Sequence, residues 1–352
     1  MSPMDQIVLN ANLRRRSFWL DERCLPLYAA ALSLLTLVAA WPYKPAVALH
    51  RDPRVNASWR GFLHERGGTT ILLFKAARLA GMVALLWTWQ SNFAQREWRE
   101  PAVCVCAALL YASSLALCNV LALPRRALVF SLHLTLVSLA VLAVYAYRDI
   151  WPLMTFTLQP KDGLEGDLLW VKLGLLLVFG AVLPLFEPYP YIPYDPTGQP
   201  SVQDPAPVPG AEQTASIASF LTYVWLDPVI WRAHQVPHLP HDELPPLCDD
   251  DQVKNLIAES YPNLDPLSGG TSSGSLFWGL ARIFRHSILH QALSLVIIVT
   301  SRIAVPIGTN RLLAYLETGG QGAVVRPWVW ILCLVLGPLG KTLFWELYQF
   351  IS

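Results

Sequence analysis

The sequence has 352 residues, of which 54% are hydrophobic and 14% charged, with a mean hydropathy of +0.39. A soluble domain is usually nearer a quarter charged. Its 26 Lys and Arg almost cancel its 25 Asp and Glu, which removes the basic footprint of a nucleic-acid binder. The charges sit between apolar runs of helix-spanning length, so the first partner is the lipid bilayer.

Arg14, Arg15, Arg16 and Arg23 precede the first apolar run. The sequence after that run, Trp41-Pro42-Tyr43-Lys44, lacks the small-x-small pattern of a cleaved signal, so the run is a span. Five spans are predicted over about 25–41, 69–89, 101–123, 127–147 and 168–186. Lys75, Arg78 and Lys172 fall near the starts of their spans and are expected to snorkel to the headgroups. His133 is expected to be a packed or hydrogen-bonded helix residue.

The character changes over 187–275. A proline-rich stretch to Gly210 reads as extended linker. Ile217, Phe220, Leu221, Val224 and Trp225 then recur at helical spacing as one apolar stripe, which Asp227-Pro228 should end. Asp249 or Asp250 is a candidate cap for a short helix. Between Asp195 and Asp265 there are eleven acidic residues against Arg232 and Lys254, the balance of a solvated segment. From Leu276 the chain reads as a helix in the headgroup plane, with Arg282, Arg285 and His286 off its apolar face. A sixth span of about 287–316 follows, kinkable at Pro306, then a Gly-rich turn and a seventh span of about 327–350.

Basic residues crowd the first loop (Lys44, Arg51, Arg54, Arg60, Arg66), the third loop (Arg125, Arg126) and the approach to the sixth span. They place the amino terminus outside and the linker in the cytosol. The four early arginines pull the other way. In this orientation the Asn56-Ala57-Ser58 sequon faces the cytosol and stays bare.

Six cysteines form no CxxC pair and no zinc spacing, and read as small apolar thiols in helices. Leu267-Ser268-Gly269-Gly270 begins a cassette signature but Thr271 replaces its Gln, and a flexible hinge is the better reading. Gly340-Lys341-Thr342 ends like a phosphate-binding loop, yet Val335 stands where a glycine is required and the segment is a predicted span. No GxSxG, HExxH or intramembrane carboxylate pair is present, so no enzyme activity is expected of this chain.

Ser219, Thr222, Tyr223, Trp225, Leu226, Asp227, Pro228, Val229 and Ile230, followed by Asp242, Leu244, Leu247, Asp249 and Asp250, resemble the linker of ABC transporters of subfamily C, the multidrug-resistance-protein family. Two departures are Glu243, inserted after Asp242, and Ala233-His234 in place of Gly-Tyr. Pro306 and Leu312-Leu313-x-Tyr315-Leu316 are similar to the first core helix of the same family, and the proline-rich wording is most like fungal members. The resemblance implies an all-α integral membrane protein with a five-span accessory domain (1–186), a cytosolic lasso-like linker (187–275), and an elbow helix with the first two helices of an exporter core (276–352). It implies an ATP-driven exporter of organic anions or conjugates in the plasma or vacuolar membrane, which needs further transporter domains, ATP and magnesium. Holding no nucleotide-binding domain, this chain is then an amino-terminal fragment without a cofactor of its own.

Arg302 lies mid-span, where a bare charge costs about 2.5–3.5 kcal/mol, and is the candidate for binding anionic substrates, with a helix–helix ion pair or carbonyl contact as its alternative. Asn310 and Arg311 are candidates beside it, or anchors at the helix end. Phe220, Leu221 and Trp225, with Asp227 and Pro228, are the candidate docking residues of the linker. A stand-alone membrane adaptor is the alternative function. A seven-helix receptor is disfavoured because Pro124-Arg125-Arg126 follows the third span and the last span lacks Asn-Pro-x-x-Tyr.

Overall fold

The computed structural model describes residues 21–40, 67–93, 100–191, 209–240, 244–253, 255–257 and 276–351. Among them are seven helices long and apolar enough to cross a membrane. A single isolated bridge, Thr155 to Val325, is the extent of strand pairing among the described residues. The chain is an all-α integral membrane protein. It divides into two compact units, Met1–Leu153 with Leu158–Pro190, and Met154–Thr157 with Tyr191–Ser352.

The first unit holds α1 (Leu25–Ala40), α2 (Thr69–Phe93), α3 (Glu100–Leu121), α4 (Pro124–Leu153) and α5 (Asp167–Phe186). Pro124 opens α4 in the first turn, where its missing N–H costs nothing. Both α4 and α5 contain a wide π-helical turn, Ala146–Ile150 and Leu176–Val182. The second lays the ring of Phe179 over Gly81 of α2, where a methyl group would overlap it. The core is Met82, Leu85, Leu109, Leu134, Val137 and Val141. In lipid such contacts hold helices together by close packing, since the tails outside are as apolar as the core.

Three expected edge residues prove to be interior ones. Lys75, Arg78 and Lys172 are 4%, 1% and 0% exposed. Arg78 donates to Ser131 Oγ at 2.8 Å and Thr135 Oγ1 at 2.6 Å, and Lys172 Nζ meets Glu165 Oε2 at 2.8 Å. Hydroxyls of α4 hold Arg78, although its Nε has no partner among the described residues, and a carboxylate in the turn just before α5 holds Lys172. Such acceptors replace hydration without stretching the side chain to the surface. His133 Nδ1 lies 2.9 Å from Ser33 Oγ, the hydrogen-bonded helix residue expected.

In the second unit, Ser216 Oγ caps α6 (Ile217–Thr222) by accepting from Ser219 N at 3.2 Å. The stripe expected to run to Asp227 stops at Tyr223, which takes a left-handed conformation with φ of 58°. A tight turn, Val224–Leu226, leads into α7 (Asp227–Gln235). Asp227-Pro228 therefore starts a helix rather than ending one. The reason is local: a proline in the first turn forfeits no hydrogen bond. The 3-10 turn Asp249–Asp251 is preceded by Cys248, with no side-chain cap. Asp249 instead accepts from Tyr191 Oη at 3.0 Å and Gln252 Nε2 at 3.2 Å. Burial and that bond push the Tyr191 hydroxyl up to about 12.

Helix α8 (Leu276–Ile283) breaks at Phe284 before α9 (Arg285–Glu317), which runs unbroken through Pro306. Helix α10 (Pro327–Ile351) returns beside it. Glycine sets their approach. A Cβ on Gly337 would lie 2.8 Å from Val305 Cγ2 and 3.0 Å from the Ser301 carbonyl, and one on Gly308 would lie 3.2 Å from the Trp330 carbonyl. The Asn56 sequon, Leu267–Gly270, Asp242 with Glu243, and the proline-rich stretch 192–208 lie outside the described residues.

Candidate functional site

The linker helices meet the last span through aromatic rings. Phe350, near the end of α10, is the common partner. Phe220 approaches it edge-on at 5.1 Å, Tyr223 at 5.9 Å and Trp225 at 6.4 Å between centroids. These are favourable edge-to-face geometries. Tyr223 Oη also donates to the Glu346 carbonyl at 3.0 Å, and its hydroxyl pKa is raised, first by burial and then by the Glu346 charge. The left-handed backbone at Tyr223 turns the chain so that rings from α6 and from the following turn converge on one side chain. Spacing alone gave no sign of Tyr223 as an anchor, because its position depends on a backbone conformation rare for a bulky residue. Leu221 is half-buried, whereas Asp227 and Pro228 are exposed in the first turn of the next helix. The Trp225 indole N–H is buried and has no acceptor among the described residues.

The transport candidates do not gather. Arg302, Asn310 and Arg311 are all exposed on α9. At about 100° per residue, Arg311 stands roughly 180° around the helix from Arg302. Among the described residues Arg302 has no ion-pair partner. The Gly340-Lys341-Thr342 segment does not fit a nucleotide. It lies inside α10, a Cβ on Gly340 would be 2.9 Å from Ser301 Oγ, and Thr342 Oγ1 donates to the Pro338 carbonyl at 3.0 Å.

A second polar assembly, missed by spacing, lies in the first unit at the end where α1 begins and α4 ends. Arg148 is its centre. It donates to Glu22 Oε1 at 2.9 Å and to both oxygens of Asp162 at 3.0 Å. Arg23 adds a contact to Asp162 at 3.3 Å, and Lys161 reaches Glu22 at 2.7 Å. Burial would raise the Asp162 carboxyl, but the Arg148 hydrogen bonds and surrounding positive charge outweigh it and hold the group below the usual carboxylate range. The signal was present as complementary charge, Arg148-Asp149 against the run Lys161-Asp162-Gly163-Leu164-Glu165, but nothing in the sequence matched partner to partner. At the opposite end of the same unit, burial raises the Glu187 carboxyl despite the nearby Arg78 and Lys75.

The chain is 30% identical over 201 residues to the ATP-binding cassette transporter abc4 of Schizosaccharomyces pombe, covering 56% of this chain and 12% of that protein. The relatives are fungal ABC transporters. Transporter abc1 of the same yeast is 24% identical over 216 residues, 61% of this chain and 14% of its own length. The ABC-type transporter cctS of Talaromyces islandicus is 26% identical over 128 residues, 36% of this chain and 8% of its own. No protein-family model matches the chain. The chain thus aligns with about an eighth of its first two relatives.

Proposed function

We propose that this chain is the membrane-embedded amino-terminal part of an ATP-driven ABC exporter of subfamily C, carrying organic anions or conjugates across the plasma or vacuolar membrane. The observation that carries the reading is the linker. Its Ser219–Ile230 wording resembles that subfamily, and its Phe220, Tyr223 and Trp225 sit on a long apolar helix, α10. The fungal ABC relatives support the same reading at low identity. In it, α1–α5 form an accessory domain, α8 is the elbow, and α9 and α10 open the transporter core. The amino terminus is outside and the linker cytosolic. ATP and magnesium are handled by nucleotide-binding domains of the whole transporter, and Arg302 offers positive charge to the substrate path.

The test is uptake of a glutathione conjugate into inside-out vesicles from cells expressing the whole gene. ATP-dependent uptake is expected, falling several-fold in Arg302→Ala. Uptake indifferent to ATP would overturn the exporter reading and leave the adaptor. Unchanged uptake in Arg302→Ala would remove the substrate role from that residue alone.

A further inference from the structure

Two cysteines that the sequence separates by 80 positions meet in the first unit. Cys24 Sγ lies 3.2 Å from Cys104 Sγ, a contact between thiols longer than the ~2.05 Å of a bond. Cys24 is 0% exposed and Cys104 4%. The approach is built rather than incidental. Cys24 closes a one-turn helix, Glu22–Cys24, whose Asp21 carboxylate accepts from Arg23 N at 2.9 Å. The two residues before Cys24 are anchored across the bundle, Glu22 to Arg148 at 2.9 Å and Arg23 to Asp162 at 3.3 Å. Those charges fix the level of Cys24 at the end of the bundle, not at mid-membrane. Cys104 stands just over one turn into α3. Of the other cysteines of α3, Cys106 is partly exposed and Cys118 exposed.

The level decides the chemistry. Helices α1 to α5 pass alternately, so the start of α1, the start of α3 and the end of α4 share one end of the unit. The residues leaving α5 lie at the other, where Gly67 approaches Pro190. With the linker cytosolic, as proposed above, the cysteine end faces the lumen of the secretory pathway or the exterior, an oxidising compartment.

We infer that Cys24 and Cys104 form a disulfide that locks α1 to α3. It closes by exchange as α3 docks: one thiolate attacks a disulfide of a lumenal thiol oxidoreductase, giving a mixed disulfide, and the second thiolate displaces the oxidoreductase sulfur. The two thiol protons end, by way of solvent, on the two oxidoreductase sulfurs, which leave as a dithiol carrying the two electrons. Burial then shields the bond from reduction.

The inference rests on the proposed orientation, and the experiment separates the two. A protease site is inserted between residues 41 and 66 of the full chain, an amino-terminal tag is added, and membranes are alkylated with N-ethylmaleimide before cleavage. The tagged piece is expected at the full-length position on a non-reducing gel and free after reduction. Cys24→Ser and Cys104→Ser each release it without reductant, while a chain with Ser at 106, 118, 248 and 333 keeps it attached. Release from the wild type without reductant overturns the disulfide. In parallel, Asn56 is expected to stay bare, and a sequon placed within 94–99 to gain glycan. Glycan on Asn56 would overturn orientation and disulfide together. A bare Asn56 with glycan at 94–99 and a released fragment would overturn the disulfide alone.

Discussion

Arg148 has a side chain only 5% exposed, and its partner Asp162 17%, so neither charge can fall back on water if the other is removed. Arg148→Ala is expected to destabilise the first unit by about 3 kcal/mol, the cost typical of orphaning one member of a buried pair. A detergent melting curve of the full chain checks it. An unchanged transition would mean that Arg23 and water replace the lost contacts. The pH dependence follows from Asp162. Its folded pKa lies below its unfolded value, so its contribution is complete above the ordinary Asp range and vanishes as pH falls through the folded value. The wild type should therefore lose melting temperature below about pH 4, and Asp162→Asn should lose less over the same interval. Lys172 belongs to the same class. It combines the Glu165 ion pair with a place 4.7 Å from the centre of the Trp89 ring, and Trp89 Nε1 in turn donates to Tyr145 Oη at 2.8 Å.

At the level of elements, small residues and rings decide which helices touch. The α9–α10 hairpin depends on the bare surface of Gly337. Gly337→Leu should splay the pair and cost about 1–3 kcal/mol, as overpacking generally does, read as a lower melting temperature of the full chain. Retained stability would show that α10 can slide to a new register. The linker depends on Phe350 in the same way. Phe350→Ala removes the ring shared by Phe220, Tyr223 and Trp225, and limited proteolysis near 217–235 should accelerate several-fold. Equal cleavage rates would mean that the hydrogen bond from Tyr223 to the Glu346 carbonyl suffices to hold the segment. The wide turn in α5 serves a similar end, since it presents Phe179 to Gly81.

For the whole molecule, two apolar units of five and two spans joined by an acidic, proline-rich segment suit the membrane portion of a transporter. The α9–α10 hairpin keeps exposed faces that lipid or, in the transporter reading proposed above, further helices would cover. The exposed faces of α9, bearing Arg302 on one side and Arg311 on the other, are where such helices would pack. On the transporter reading proposed above, expression of the whole transporter should raise the melting temperature of the α9–α10 region above that of this chain alone. An identical value would favour a self-sufficient adaptor.

The sequence by itself determined the membrane class and the position of all seven spans, because each span needs only length and apolarity to declare itself. It also carried the linker wording on which the functional reading stands. Only the tertiary structure decided where the charges go. Whether Arg78 reaches outward or inward depends on acceptors supplied by another helix. Whether Arg148 meets Glu22, or Cys24 meets Cys104, depends on how distant segments align at one end of a bundle. Those pairings are relations between positions far apart in the chain, and no local pattern of residues contains them.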